Sequence, residues 1–241
     1  QSPYWNRMPV SLRKALLAEG STGLIAEFKR KSPSKGWFKD SEFAIERVVV
    51  PYAEQGAAAI SVLTDTPFFG GTLQDLRQAR SAVTVPLLRK DFVIDAYQIG
   101  EAKANGADVI LLIAACLTPK EVQRLALITK ELGMEVLLEL HEDTELEHCC
   151  EEIDLVGINN RDLKTFTVDI DRSLRMAEQI PAGKIKIAES GIGSAELVQR
   201  FRKAGFRGFL IGETFMKTAD PGQAFQQFVQ AVSSSDQNTH V

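Results

Sequence analysis

Strand-length apolar runs recur along the chain, and their regular spacing restricts its possible folds more than any other feature. Eight such runs are present, and each is followed by polar residues and then by a helical pattern. The runs are continuously apolar, which is typical of parallel strands that are buried on both faces. The predicted strands are Leu24–Phe28, Ala59–Leu63, Val85–Leu88, Val109–Ile113, Val136–Leu140, Leu155–Ile158, Ile185–Ala188 and Gly208–Ile211.

Amphipathic segments of helical length follow these runs. Thr118 and Asp220 each precede a proline, which is the arrangement of a capping residue with proline in the first turn. Glycines stand where four of the helices should end, as left-handed caps: Gly56, Gly106, Gly133 and Gly205. The predicted helices are Ala44–Gln55, Leu73–Ala82, Ala96–Asn105, Pro119–Leu132, Asp143–Glu151, Asp171–Gln179, Ala195–Ala204 and Pro221–Val232.

Strand-helix units that repeat with short connections favour an α/β fold with one closed (β/α)8 barrel, a TIM barrel. A doubly wound open sheet is the alternative, but no G-x-G-x-x-G motif follows the first strand. We therefore predict one barrel domain over residues 1–241. Residues 1–22 form an N-terminal extension with a short extra helix at Val10–Ala18, and residues 233–241 form a polar tail that we expect to be frayed.

The charge balance argues against nucleic acid as a partner. The formal net charge is −4 and the sequence pI is about 5.5, whereas nucleic-acid binding requires a basic patch. No apolar run approaches the ~20 residues of a membrane span, and the first residues lack the layout of a signal peptide. We expect a cytoplasmic protein without a membrane partner.

The cysteines and histidines show no spacing that would indicate a disulfide framework or a metal site. Cys116, Cys149 and Cys150 are the three cysteines, and we predict reduced thiols on buried helix faces. Among the histidines, we expect His148 and His240 at the surface. We predict neither a metal nor a cofactor.

Polar residues cluster where the predicted strands end, and the active sites of such barrels lie at the C-terminal ends of the strands. Glu27 and Lys29 are two residues apart and therefore point the same way from the first strand. We predict that both project into the barrel mouth, where each stabilises the ionised form of the other. The strand-end residues are Glu27, Lys29, Lys90, Glu139, His141, Asn159, Arg161, Glu189, Ser190, Gly212, Glu213 and Thr214.

Two glycine-containing turns follow the seventh and eighth strands, where barrels frequently bind phosphate through backbone N–H groups at a helix N-terminus. Gly191 lies in the first turn and Gly212 in the second, and glycine lets the backbone approach an anion closely. Lys29 and Ser32 could add donors from the first loop. Arg161 is a further candidate for binding the substrate or its phosphate.

Six segments together resemble the indole-3-glycerol-phosphate synthase family of tryptophan biosynthesis. They are IAEFKRKSPSKG, SVLTD, LLRKDFVIDAYQI, VGINNRDL, IAESGI and GFLIGETFM. The resemblance runs from about Leu12 to Phe228. It implies a barrel that closes the ring of 1-(2-carboxyphenylamino)-1-deoxyribulose 5-phosphate with loss of CO2 and water, and it implies no cofactor.

The resemblance also implies roles for individual residues. Lys90 would be the general acid that protonates the carbonyl during ring closure, and Glu139 would be the second acid/base residue, used in the dehydration. Lys29 would hold the substrate carboxylate, while Glu27 would orient the lysines and share proton handling. Asn159, Glu189 and Ser190 would position the sugar hydroxyls. Phe92 and Ile113 would pack on the anthranilate ring, and the phosphate would be bound at Ser32, Gly191, Gly212 and Glu213.

Two positions depart from the family pattern. Arg89 stands where an apolar residue is common, which leaves the electrostatics around Lys90 open. His141 stands where relatives often have a smaller polar residue.

Two other functions remain as alternatives. A sugar-phosphate isomerase such as phosphoribosylanthranilate isomerase would need an early catalytic cysteine, but no cysteine precedes Cys116. A non-catalytic barrel that binds a sugar phosphate is disfavoured because every acid/base position is filled. We expect a monomer that acts on a small-molecule sugar phosphate, with other enzymes of tryptophan biosynthesis as candidate partners.

Overall fold

A closed barrel of eight parallel strands forms the centre of the computed structural model, which describes residues 2–162 and 167–237. The first strand pairs with the second and with the last, so the sheet has no free edge. The predicted barrel is confirmed, and the open doubly wound sheet is wrong. The barrel strands are β1 (Leu24–Phe28), β2 (Ala59–Leu63), β3 (Leu87–Lys90), β4 (Val109–Ile113), β5 (Glu135–Leu140), β6 (Leu155–Asn159), β7 (Ile185–Glu189) and β8 (Phe206–Ile211).

Helices cover the outside of the barrel, and short helices also lie within several of the loops that follow its strands. The predicted helix-ending glycines have positive φ, between 74° and 91°. Two 3-10 helices, Ala114–Cys116 and Asp143–His148, follow β4 and β5. The α-helices are Leu12–Leu17, Glu46–Glu54, Thr66–Phe69, Leu73–Ala82, Ala96–Ala104, Pro119–Glu131, Ile170–Ala177, Ala195–Lys203, Glu213–Met216 and Pro221–Gln237.

The N-terminal helix Leu12–Leu17 fills the N-terminal end of the barrel. Leu12 and Leu16 are buried in one apolar cluster with inward-facing strand residues such as Ile25 and Leu88. Asp108 is fully buried beside this segment; it accepts a hydrogen bond from Val10 N at 2.7 Å and pairs with Arg80. The extra helix predicted at Val10–Ala18 therefore belongs to the packed interior.

The loop after β1 is fixed by a buried arginine. Arg30 pairs with Asp75 at 2.6 Å and donates to the carbonyls of Asp40 and Phe43. A small antiparallel hairpin, Lys31–Ser32 with Gly36–Trp37, shapes the same loop. These contacts hold Lys29 and Ser32 at the rim of the barrel.

Several predicted elements differ from the structure in their bounds or their type. The strand predicted at Val85–Leu88 is Leu87–Lys90, since Pro86 has no N–H to donate to the ladder. Asp143–Glu151 is a 3-10 helix over Asp143–His148, because its backbone bonds run from i to i−3, as from Cys149 N to Leu146 O. In the tail, residues 233–237 are helical and the hydroxyl of Ser234 bonds back to the carbonyl of Gln230.

The expectations for cysteine and histidine are partly wrong. Cys116 is exposed at the end of a short 3-10 helix, whereas Cys149 and Cys150 are half-buried; all three are free. His148 is buried because its ring nitrogens lie 2.9 Å from Leu117 O and 3.0 Å from Glu145 O. His240 lies outside the described residues.

Within residues 2–162 and 167–237, no helix has the length and apolar character that crossing a membrane would require.

Candidate active site

A cavity of about 280 Å³ opens at the C-terminal ends of the barrel strands. It collects all but one of the side chains and glycines that the sequence assigns to the site, although they come from seven different strand ends or loops. The exception is Glu189, which is fully buried below the cavity. The predicted residues that line it are Glu27, Lys29, Ser32, Lys90, Phe92, Ile113, Glu139, Asn159, Arg161, Ser190, Gly191, Gly212 and Glu213.

Lys90 is the centre of the charged part of this cavity. It is the last residue of β3, and its Nζ donates to Glu189 Oε2 at 2.9 Å. The same ammonium lies 3.6 Å from Glu27 Oε2 and 3.7 Å from Glu139 Oε2. Three carboxylates from three other strands thus converge on one ammonium.

The convergence changes the pKa of each member of the cluster. Burial alone would lower the pKa of Lys90, but the carboxylates of Glu189, Glu139 and Glu27 outweigh it and raise the pKa. Burial raises the pKa of Glu189 to about 7. The negative charges of Glu139 and Glu27 also raise it, whereas the ammonium of Lys90 lowers it. For Glu139, burial is outweighed by Lys90 and His141, which hold its pKa at about 2. Lys90 is therefore held protonated and Glu139 ionised.

Glu27 and Lys29 form an ion pair at the cavity, with Oε1 2.9 Å from Nζ. Their side chains are 5% and 13% exposed, so the pair is not on a solvated face. Burial would raise the pKa of Glu27, but Lys29 and Lys90 together lower it. The predicted projection of both side chains into the barrel mouth is confirmed.

Glu139 is oriented by two neighbours at one of its oxygens. Asn159 Nδ2 donates to Glu139 Oε1 at 2.9 Å, and His141 Nε2 lies 3.0 Å from the same oxygen. Asn159 is itself held, because its Oδ1 accepts a hydrogen bond from Arg161 N. His141 lines the cavity but has no assigned role in the sequence-based interpretation.

Glu189 lies in space that a glycine on the neighbouring strand leaves open. A Cβ atom on Gly157 would lie 2.1 Å from Glu189 Oε1. That oxygen is buried and has no hydrogen-bond partner among the described residues. The sequence carries a signal for this contact, because a glycine inside an apolar strand often marks a close approach.

The turn after β7 is held in an unusual conformation. Ser190 and Gly191 both have positive φ, 66° and 69°, a region that residues other than glycine rarely adopt. The buried Asn160 donates from Nδ2 to Ser190 O at 2.7 Å, which fixes the turn. Across the cavity rim, Arg161 lies 3.5 Å from Glu213. The predicted phosphate loops therefore border the same cavity as the charged cluster.

One side of the cavity is apolar. Phe92 is 39% exposed at the rim and makes an edge contact with Phe68, with ring centroids 6.1 Å apart. Sequence reasoning missed the other apolar residues of the lining. Leu111 could have been found because it lies two residues before Ile113 on the same face of β4. The missed apolar lining residues are Leu63, Phe69, Leu111, Ile192, Leu210 and Ile211.

Arg89 points to the outside of the barrel, away from Lys90, and its charge is paired there. Its side chain is buried there, pairs with Asp91 at 2.9 Å and Glu101 at 3.0 Å, and donates to Thr64 Oγ1. Neighbouring strand residues point to opposite faces.

No group of three or more His, Cys, Asp or Glu side chains in the described ranges is arranged to hold a metal ion.

Comparisons with known proteins agree with this geometry. The family model for indole-3-glycerol phosphate synthase matches residues 4–228. The indole-3-glycerol phosphate synthase of Bacteroides thetaiotaomicron is 53% identical over 228 residues, which cover 94% of this chain and 87% of that protein. That of Carboxydothermus hydrogenoformans is 46% identical over 226 residues, covering 92% and 85%.

Among solved structures, a mutant tryptophan synthase alpha-subunit from Pyrococcus furiosus shares the fold, with a TM-score of 0.67 and 16% identity. The match covers 89% of this chain and 98% of that one. The likeness extends to the barrel alone, whereas the family model and the two synthases match the sequence itself. The chain belongs to the indole-3-glycerol phosphate synthase family.

Proposed function

We propose that this chain closes the ring of 1-(2-carboxyphenylamino)-1-deoxyribulose 5-phosphate to give indole-3-glycerol phosphate, CO2 and water. The observation that carries the proposal is the ammonium of Lys90, held between the carboxylates of Glu27, Glu139 and Glu189 at the edge of a partly apolar cavity. The reaction needs a proton donor at a ketone and a base close by. The cluster supplies both from fixed positions.

The substrate has an aryl group at one end and a phosphate at the other. The cavity has an apolar side for the first and glycine-containing loops for the second. The aryl group would pack against Phe92 and Ile113, and its carboxylate would pair with Lys29. The phosphate would lie at the loops after β7 and β8, where the backbone N–H groups at Gly191 and Gly212 would bind it. Ser32 and Arg161 line the same cavity. The substrate would then span the cavity with its ketone above Lys90.

Ring closure requires a bond between the aryl carbon that bears the carboxylate and the ketone carbon. The electron pair comes from the ring, assisted by the aniline nitrogen, and the carbonyl oxygen becomes an alkoxide. Lys90 donates a proton from Nζ to this oxygen. Because three carboxylates keep Lys90 protonated, the donor is present before the substrate binds.

Loss of CO2 follows from the structure of the intermediate. The pair of electrons in the C–COO⁻ bond flows back into the ring and restores its aromaticity. When the substrate carboxylate leaves as neutral CO2, its ion pair with Lys29 is lost. Glu27 is then the main ion-pair partner of that lysine.

Dehydration completes the indole. Glu139 accepts a proton from the carbon next to the nitrogen, and the hydroxyl leaves as water with a proton from one of the two ammonium groups. The new double bond lies between this carbon and the neighbouring carbon that carried the hydroxyl. Lys90 and His141 outweigh burial and lower the pKa of Glu139, so its carboxylate is ionised and can accept this proton. Asn159 and Ser190 would hold the sugar hydroxyls during these steps, whereas the buried Glu189 would act through its contact with Lys90.

Product formation tests the proposal directly. The purified protein is mixed with 1-(2-carboxyphenylamino)-1-deoxyribulose 5-phosphate, and the fluorescence of the indole ring is followed. A parallel reaction contains phosphoribosylanthranilate. Turnover of the first compound supports the proposal, turnover of the second alone indicates an isomerase, and binding without turnover indicates a non-catalytic barrel.

We further propose that residues 1–241 form one barrel domain that acts as a monomer in the cytoplasm, with other enzymes of tryptophan biosynthesis as candidate partners. The packing of Leu12 and Leu16 into the barrel supports a single unit. Sedimentation at several protein concentrations tests the monomer, since a dimer would give a concentration-dependent mass.

A further inference from the structure

His141 connects the charged cluster to a second acidic side chain at the edge of the site. It follows β5, lines the cavity and is only 6% exposed. Its Nε2 lies 3.0 Å from Glu139 Oε1, and its Nδ1 lies 3.8 Å from Glu145 Oε2. Glu145 belongs to the 3-10 helix Asp143–His148, and its carboxylate is fixed by the backbone N–H of Glu142. The ring therefore has a carboxylate at each nitrogen.

This arrangement suits an imidazolium and not a neutral ring. A neutral imidazole has one N–H, so its other nitrogen would turn a lone pair toward a carboxylate oxygen. Both nitrogens of His141 are buried, and the contacts are ion pairs without aligned hydrogen bonds. Two carboxylates stabilise a positively charged ring by electrostatic attraction. This attraction does not require the alignment that a hydrogen bond needs.

The contact also determines which oxygen of Glu139 is free for chemistry. His141 and Asn159 both lie at Oε1, whereas Oε2 faces Lys90 at 3.7 Å. We propose that His141 is a positioning residue that, as an imidazolium, keeps Glu139 ionised and turns its Oε2 toward the reacting atoms, while Glu145 holds the other side of the ring. The inference deepens the proposed function, because it rests on the role of Glu139 in the dehydration.

The charged groups around the ring agree with this assignment. The ring faces Glu139 of β5, Glu145 of the following 3-10 helix and, at a greater distance, Glu189 of β7. Lys90 lies beyond Glu139. Burial would lower the pKa of His141, but Glu139, followed by Glu145 and Glu189, outweighs burial and raises it.

A titration followed by NMR tests the pair without any turnover. The ring signals of His141 are identified as those lost in the His141→Gln variant, and the pH midpoint is measured in the parent, in Glu139→Gln and in Glu145→Gln. We expect the midpoint of His141 to fall by about one unit or more in Glu139→Gln, and by less in Glu145→Gln. A midpoint that does not move in Glu139→Gln would overturn the proposal.

Kinetics separate a positioning role from a merely structural one. In His141→Gln, the acid limb of kcat/KM should move up by about 1–3 pH units, because Glu139 loses a cation at contact distance. His148→Gln is the matched control: this histidine is also buried, but its ring contacts carbonyls outside the cavity. Its profile should keep the parent's acid limb even if the variant is less stable.

The outcomes distinguish the inference from the proposed function. If the parent does not turn over the substrate, the proposed function fails, and the NMR titration still decides whether His141 and Glu139 are coupled. If the parent is active and the acid limbs of His141→Gln and His148→Gln coincide with that of the parent, the positioning role is wrong.

Discussion

A Cβ atom on Gly212 would lie 2.4 Å from Glu27 Oε1 and 2.9 Å from Glu27 Cβ, so the backbone after β8 is in direct contact with a residue of the charged cluster. Gly212 has φ of −128°, which any residue can adopt. The position therefore needs glycine for space and not for conformation. The sequence assigns this glycine to an anion, but the nearer neighbour is Glu27.

We expect Gly212→Ala to lower kcat, because the added methyl group must displace the Glu27 carboxylate from Lys90 and Lys29. A displacement of about 1 Å near the chemistry can cost ~10²-fold in rate. The rate is measured at saturating substrate, beside that of Gly193→Ala. Gly193 lies in the neighbouring loop, and a Cβ there meets nothing within 4 Å.

The split between kcat and KM decides between the two roles of Gly212. A variant with normal kcat and a sharply raised KM would indicate that this backbone serves the phosphate and that Glu27 adjusts without loss. Gly193→Ala should leave both constants close to those of the parent.

Lys90→Met should remove most of the turnover, because the ammonium is the proton donor in ring closure. A lost general acid typically costs ~10²–10⁴-fold. The fold should survive, because Glu189 has a pKa of about 7 and can take up a proton when the ammonium is removed. Circular dichroism and kcat are measured on the same preparation. A variant that keeps more than about a third of the parent's kcat would contradict the assignment.

The raised pKa of Glu189 predicts how stability changes with pH. Folding moves this pKa from its ordinary 4.5 to about 7. Between these values the folded protein binds a proton that the unfolded chain has released, so the Glu189 contribution to the free energy of unfolding falls as pH rises. Above pH 7 the contribution stays at its lowest value.

The free energy of unfolding of Glu189→Gln should therefore increase relative to that of the parent between pH 5 and pH 8. Urea unfolding at both pH values gives the free energy of unfolding of each protein. The difference between variant and parent reports the titration of Glu189, because Lys90 stays protonated and Glu139 ionised across this pH range in both proteins. A difference that is equal at pH 5 and pH 8 would show that Glu189 has an ordinary pKa in the folded protein.

The barrel could be predicted from sequence because local signals and the global fold agree. Continuous apolar strands, capped helices such as Pro119–Glu131 and polar strand ends all indicate the same architecture. The site followed from one geometric rule, since the carboxyl ends of all barrel strands meet at one end. Residues as distant in sequence as Glu27 and Glu189 could thus be placed together.

Contacts that depend on side-chain packing were not predictable in this way. The sequence predicts His148 at the surface, yet two backbone carbonyls provide partners that allow its burial. The role of Gly212 as space for Glu27 requires the register between β1 and β8, which no local pattern specifies. The role of His141 depends on Glu145, which lies on a 3-10 helix where the sequence pattern predicts an amphipathic α-helix.

The ion pair between Glu27 and Lys29 allows a test by double-mutant cycle. Glu27 contacts both ammonium groups of the site, Lys29 at 2.9 Å and Lys90 at 3.6 Å. Lys29 faces the cavity, where the substrate carboxylate would replace part of its interaction with Glu27. The two side chains therefore act on one bound substrate at contact distance, and their effects should be coupled.

We expect Glu27→Gln to reduce kcat, because it disturbs the orientation of the lysines and the proton balance around Lys90. Lys29→Ala should mainly raise KM, because it removes the partner of the substrate carboxylate. In the double variant the loss in kcat/KM should be smaller than the product of the two single losses, since an unpaired charge is no longer left behind. An exposed pair would contribute only ~0–1 kcal/mol, so strictly multiplicative losses, or single variants close to the parent, would show that the pair is dispensable for catalysis.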